Sequence, residues 1–359
     1  MSRLKVCSAI ACAAIAAGST QIHARGVDAT LVVTMTNDDN ENEIRVYDAG
    51  SRALVQTLST HGKGGVGGNA RGVKQYGDTL VAVVNNGSNS VALFSRDANR
   101  LRFEQLVTTT SAPVSVDFAN GHMYVAGATT VDSFVLKERS VDWMDGTTAL
   151  TLANGGTPGA GSTSQVGVVN ARQLLVTLKT DPDPGTVDVI ALDRGRITSS
   201  AATAISAPEG SLAPFGFATY PDGSALITLA HSDQDGLFRD GAFASAVDAG
   251  QAASCWMTRD GKYVFVANTG SQTISRLIGT GTNIFVDAPV AAVIPSGAPA
   301  DIDAASGVLA VIDHGAGQSH LSIFAYNAFG ELGPGAPVTL GVPNANGVAI
   351  LTPLSQEQN

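Results

Sequence analysis

Apolar and polar positions alternate in short runs along this chain, and the runs come in pairs. "TLVAVVNNGSNSVALFS", Thr79 to Ser95, and "KYVFVANTGSQTISRLI", Lys262 to Ile278, share one plan: an alternating run, an Asn and a Gly-Ser turn, then a second alternating run. A period of two interrupted by a glycine-bearing break predicts two antiparallel strands joined by a tight loop. The chain repeats a hairpin.

Five further hairpins follow the same plan: Ala29 to Ala49, His122 to Leu136, Gln173 to Asp193, Ser224 to Gly241 and Gly307 to Asn327. Seven units at roughly 38 to 52 residues apart fit the blades of a propeller. Most hairpins are preceded by a run rich in small residues, such as "PVSVDF" from Pro113 or "PADIDAA" from Pro299, which suits the crowded innermost strand of a blade. A weaker run follows each hairpin and completes four strands. The first unit lacks an inner strand, while "NANGVAILTP", Asn344 to Pro353, has one to spare. The expected fold is therefore all-β, a seven-bladed β-propeller closed by the C-terminal strand.

Composition agrees with many short strands: 40 glycines, 44% hydrophobic residues and only 14% charged residues. A formal net charge of −10 and no basic stripe interleaved with aromatics argue against nucleic acid as a partner. At the start, Arg3 and Lys5 precede an apolar segment from Val6 to Gly18 and a polar stretch to Ala24, the layout of a secretory signal. Residues 1–24 are thus expected to be a leader, 25–359 the propeller, and the location secreted or periplasmic. No segment is long enough for a membrane span. Removal of the leader takes Cys7 and Cys12 with it, so Cys255 alone remains and an internal disulfide is excluded.

The "KYVFVANTGSQTIS" phrase resembles the YVTN-type propeller repeat, and the mature chain resembles the lactonase-like β-propeller family. That family is similar in fold to 6-phosphogluconolactonase and carboxymuconate-lactonizing propellers. "APVSV" at Ala112, "APFGF" at Ala213, "SCWM" at Ser254 and "APADI" at Ala298 add to the likeness. The resemblance implies a small organic acid or lactone as substrate, held at the channel. No catalytic residue is carried over from it.

Blade geometry selects one face. Inner strands start there and second strands end there, so their polar residues meet around the channel mouth. Arg71 and Lys179 are candidates to hold an anion, and His231 is the candidate general acid or base. Gln165, Phe215, Cys255, Trp256, Asp301 and His314 are candidates for substrate binding, with Trp256 and Phe215 either walling a pocket or plugging the channel. Acidic loops at Asn37, Thr180 and Ser232 carry oxygen ligands but complete no EF-hand, and the histidines show no HExxH spacing, so neither metal nor cofactor is expected. "HGKGGVGGNARG", His61 to Gly72, opens no helix and reads as a rim loop able to fold over the mouth. Two functions remain: a lactone hydrolase or lactonizing enzyme, and a non-catalytic propeller that binds a ligand or a protein partner through this face.

Overall fold

The computed structural model describes residues 29–77, 79–151, 162–179 and 185–353. The expected leader lies outside these residues, as do Asp181 and Asp183 of one acidic loop. Seven antiparallel sheets succeed one another along the chain. Blade 1 takes its inner strand from Asn346–Leu351, which pairs with Leu31–Met35 from the other end of the chain. Blades 2 to 7 have inner strands Val73–Tyr76, Pro113–Ala119, Thr163–Asn170, Pro214–Thr219, Ser254–Asp260 and Ala298–Ala305. Blade 4 carries two short strands, Arg196–Ile197 and Thr203–Ser206, on its outer strand Thr186–Asp193. The ends of the chain thus close one ring, which removes the two sheet edges an open row would expose.

Burial explains why each strand has its pattern. Second strands, such as Leu80–Asn85 and Tyr263–Asn268, are buried at every position, because both faces pack against neighbouring blades. Outer strands such as Ala242–Asp248 carry only exposed and half-buried residues and cover the rim. Six of the seven inner strands have a register shift near their start, so one extra residue bends the strand where the chains converge. Gly216 shows how tight that convergence is: a Cβ there would sit 2.7 Å from the Cys255 carbonyl of the next blade.

Every seam between blades is tied by a polar contact. Asn42 donates to the Val84 carbonyl, and the Val116 amide donates to the Arg71 carbonyl. Asp117 accepts from the Val168 amide, while Gln165 pairs with both the amide and the carbonyl of Phe217. Thr228 donates to the Cys255 carbonyl, Thr258 accepts from the Ala304 amide, and Asp303 accepts from the Ile350 amide. These buried partners fix neighbouring inner strands in height, so residues far apart in sequence share levels of the central channel.

Candidate functional site

The upper mouth, where inner strands begin, is filled. The glycine-rich segment folds across it and drops Asn69 onto the axis, fully buried. Asn69 donates to the Val114 carbonyl at 2.6 Å and accepts from Asn346 at 2.7 Å, while its own carbonyl accepts from the Trp256 indole at 2.7 Å. Three blades therefore meet on one asparagine. Phe215 packs edge-on against Trp256 with centroids 5.0 Å apart, so these rings plug the channel rather than line a pocket. His61 lies edge-on to Phe103 at the rim.

Below the plug the channel is charged. In blades 1 to 6, one inner-strand residue pairs with the residue three positions before the end of the second strand, namely Ile350, Lys74, Asp117, Gly167, Ala218 and Thr258; in blade 7 Asp303, which accepts from Thr258 on one side and from the Ile350 amide on the other, pairs with Ala310. These residues share one level. Arg71 Nη1 lies 3.7 Å from Asp303 Oδ1, and Lys74 Nζ lies 3.7 Å from Asp117 Oδ1. Blades 2 and 7 are not neighbours, so the Arg71 to Asp303 contact spans the channel itself. Each carboxylate has its other oxygen tied to the backbone of the following blade, Asp117 to Val168 and Asp303 to Ile350. Both cations thus lie 3.7 Å from carboxylates that are anchored to a following blade.

All four side chains keep partial exposure, 17% for Arg71 and Asp303, 28% for Lys74 and 15% for Asp117. That exposure is to the narrow channel. Burial, and then the charge of Arg71, push the Lys74 ammonium below the usual lysine range, against the opposing pull of Asp117 and Asp303. Behind them, Asp301 is 1% exposed; its Oδ1 accepts from the Ile302 amide and its Oδ2 has no hydrogen-bond partner. Burial raises its carboxyl to about 7, although Arg71 pulls the other way.

The residues expected to form a catalytic trio occupy separate places. Arg71 turns down into the channel. Lys179 stays above the plug, donating to the Gly68 carbonyl and lying 4.5 Å over the Phe215 ring. His231 is exposed on the rim, its amide bonded to the Leu212 carbonyl at 3.3 Å. Among the substrate-binding candidates, Gln165 is consumed by its clamp on Phe217, and His314 donates to the Ala345 carbonyl at 2.8 Å. Cys255 is half-buried near Lys179; burial raises its thiol, with Thr269 and Lys179 lowering it. Sequence reasoning passed over Lys74, Asp117 and Asp303. A signal was available, since Asp117 and Asp303 both stand four residues after a proline at or next to the start of the strand, in "PVSVD" and "PADID".

Among the described residues, no group of three or more His, Cys, Asp or Glu side chains is arranged to hold a metal ion, and no helix is long and apolar enough to cross a membrane. Asp38 of the first acidic loop caps the amides of Asn40 and Glu41.

Fold and channel together define a seven-bladed β-propeller with a sealed upper mouth and a charged lower channel. Its fold is that of solved lactonase-like propellers. It is similar to the periplasmic gluconolactonase of Pseudomonas aeruginosa, at 16% identity and a TM-score of 0.64 over 90% of this chain and 99% of that one. A proposed 6-phosphogluconolactonase of Bacteroides fragilis matches at 13% identity and a TM-score of 0.63, over 91% and 99% of the two chains. A catalytically inactive virginiamycin B lyase of Staphylococcus aureus, solved with quinupristin, matches at 14% and 0.54, over 80% and 92%. Neither a protein-family model nor a curated protein sequence matches the chain.

Proposed function

We propose that the protein is an exported lactone hydrolase that takes a small lactone into the lower channel and releases the hydroxy acid. The observation that carries this reading is the pair of blade 2 cations, Arg71 and Lys74, each held 3.7 Å from a carboxylate that is anchored elsewhere. A small acid or lactone carbonyl can enter such a gap without breaking the anchors. Arg71 is a permanent cation and receives the carbonyl oxygen as it gains charge. Lys74, pushed below the usual lysine range by burial and oriented by Asp117, is the proton mover in this reading. Its free amine takes a proton from water as the water oxygen adds to the carbonyl carbon. The ring C–O bond then breaks, and Lys74 returns that proton to the departing ring oxygen. The new carboxylic acid gives its own proton to solvent, and the resulting carboxylate rests against Arg71. Export is supported by the leader-like residues 1–24 and by the periplasmic location named for the Pseudomonas gluconolactonase.

The test is a lactone panel assayed with wild type, Arg71→Ala, Lys74→Met and His231→Ala. Arg71→Ala should lower kcat/KM about 100-fold, and Lys74→Met should lower kcat about 100-fold or more. His231→Ala should retain wild-type turnover. Wild-type kcat should fall toward acid pH, as Lys74 is held protonated. Loss in His231→Ala with retention in Lys74→Met would move the site to the upper rim. A second reading, a propeller that binds without turnover, is favoured by the sealed mouth built around Asn69 and Trp256. It predicts binding of a small carboxylate that needs Arg71, with no lactone opened.

A further inference from the structure

Blade 7 sets three side chains of different chemistry in one row. Asp313 on the second strand, Val308–Gly315, lies directly opposite His320 on the third, Gln318–Ala325. His320 in turn lies directly opposite Thr339 on the outer strand, Ala336–Thr339. Directly opposed residues project from the same face of a sheet, so acid, imidazole and hydroxyl follow one another outward. Burial falls in the same order: Asp313 is 0% exposed, the His320 side chain 16%, and Thr339 is exposed. Asp313 Oδ1 lies 3.1 Å from His320 Nδ1, and its Oδ2 accepts from Ser296 Oγ at 2.8 Å. Burial raises the Asp313 carboxyl, while Ser296 and then His320 draw it back down. An ionised carboxylate only accepts, so Nδ1 carries the ring proton and Nε2 keeps a lone pair. Among the described residues, Nε2 makes no hydrogen bond. Blade 3 shows what this register permits: Asp132 and Thr147 hold the same third-strand and outer-strand places, and there the threonine hydroxyl donates to the carboxylate at 2.7 Å. In blade 7 the acid stands one strand further in, and an imidazole fills the place between.

We infer that Asp313, His320 and Thr339 form an acyl-transfer site at the upper rim of blade 7, which takes neutral open-chain carboxylic esters. His320 Nε2 receives the Thr339 hydroxyl proton as the threonine oxygen bonds to the ester carbonyl carbon. Asp313 holds the ring in the tautomer that allows this. Ala336–Thr339 is the last strand of its sheet, and the Leu340 amide donates to the Ser319 carbonyl. By the alternation of an antiparallel pair, the Thr339 amide one residue earlier points to the open edge, where it can donate to the carbonyl oxygen as that gains charge. The ester C–O bond then breaks, the departing oxygen takes the proton from His320, and the acyl group stays on Thr339. Water repeats the sequence: it gives a proton to His320, its oxygen bonds to the acyl carbon, and Thr339 leaves with that proton. The acid formed loses its own proton to solvent. The row carries no cation to hold a carboxylate and stands on an exposed edge, which suits a neutral ester. This site is independent of the lower-channel reading, which uses none of these residues.

The experiment follows release of p-nitrophenol from p-nitrophenyl acetate by the folded full chain, with His320→Gln, Thr339→Val and Thr339→Ser beside wild type. Thr339 is exposed, so its variants should fold as wild type does. His320→Gln and Thr339→Val should each lower turnover about 100-fold, to one shared background, and Thr339→Ser should restore most of it. Acid quenching and peptide mass mapping of wild type should place an acetyl group, removable by neutral hydroxylamine, on Thr339. Thr57 is the comparison: it is exposed on the outer strand of blade 1 but lies opposite Arg45 rather than a histidine, and it should stay unmodified. Turnover unchanged in Thr339→Val or in His320→Gln, or acetyl on Thr57 as readily as on Thr339, overturns the inference. Neither result bears on whether the lower channel opens lactones.

Discussion

Where the inner strands begin, Asn69, Trp256 and Phe215 fill the axis with amide and ring; a few residues further along the same strands, Arg71, Lys74, Asp117 and Asp303 face it with charge. The upper contacts are short, at 2.6 to 2.7 Å for the three bonds on Asn69. The lower ion pairs are held at 3.7 Å, and Asp301 behind them keeps an unpartnered oxygen. Close, satisfied contacts stabilise a ring; wide pairs between anchored groups retain polar capacity for something else. On the proposed function the upper end serves architecture and the lower end chemistry, and substitutions at the two ends should separate accordingly.

The largest effect should come from the closure that both ends share. Ending the chain after Ala345 removes the strand Asn346–Leu351, together with the Asn346 bond to Asn69 and the Ile350 bond to Asp303. Blade 1 would keep three strands and two blades would lose a neighbour. Circular dichroism should show no cooperative thermal transition. A truncated chain that melts like wild type would mean that the ring is held without its latch.

Next comes Asn69→Ala, which strips the side-chain bonds to Val114 and Asn346 and leaves both partners buried without replacement. At about 1–3 kcal/mol per unmet group, a loss of about 3 kcal/mol is expected in chemical denaturation. Affinity of the lower channel for a small carboxylate should hardly change. Arg71→Ala should do the reverse. Similar effects of both variants on both measurements would erase the division between the two ends.

The same contrast explains what could be read from the sequence. Blades were legible because second strands are buried on both faces and adjoin turns, so Leu80–Asn85 and Tyr263–Asn268 stand out as runs flanked by Asn and Gly. Closure was legible because a ring of seven needs a strand that only the tail could supply. The channel charges were not, because height in a propeller depends on register. A one-residue bulge near the start of six of the seven inner strands shifts which residues become level, and alternation alone does not show it. Lys179 and Arg71 were expected to share one mouth, yet Lys179 bonds to the Gly68 carbonyl while Arg71 reaches Asp303. A side chain's direction past such a plug is decided by tertiary contacts.

A smaller effect should follow pH. The Asp301 carboxyl, raised to about 7 when folded against an ordinary value of 3.8, binds its proton more tightly in the native state. Its contribution is thus fully present below about pH 4 and lost as pH rises through about 7. Asp301→Asn stays neutral throughout, so its stability should fall less across that window. Above pH 7 it should exceed wild type by about 2 kcal/mol, after allowance for the attraction of Arg71 that it forfeits. Buried Asp235, also raised to about 7, adds a slope of the same sign in both proteins and leaves the difference between them intact. Parallel stability curves for the two proteins from pH 4 to 8 would show that Asp301 carries no such penalty.

The smallest effect isolates one bond in the plug. Trp256→Phe keeps an aromatic ring against Phe215 but removes the indole N–H that donates to the Asn69 carbonyl at 2.7 Å. The expected loss is about 1 kcal/mol, the net worth of a neutral buried hydrogen bond, with some further cost for the smaller ring. Fluorescence can follow it, because the other tryptophan, Trp143, is 55% exposed and emits from a watery setting. Wild-type emission should contain a blue component that this substitution deletes. Turnover or carboxylate binding in the lower channel should survive, since the ion pairs of Arg71 and Lys74 are made with Asp303 and Asp117 and not with the indole's partner. If that substitution abolished lower-channel binding while costing little stability, the plug would belong to the chemistry and the two ends of the channel would be one site.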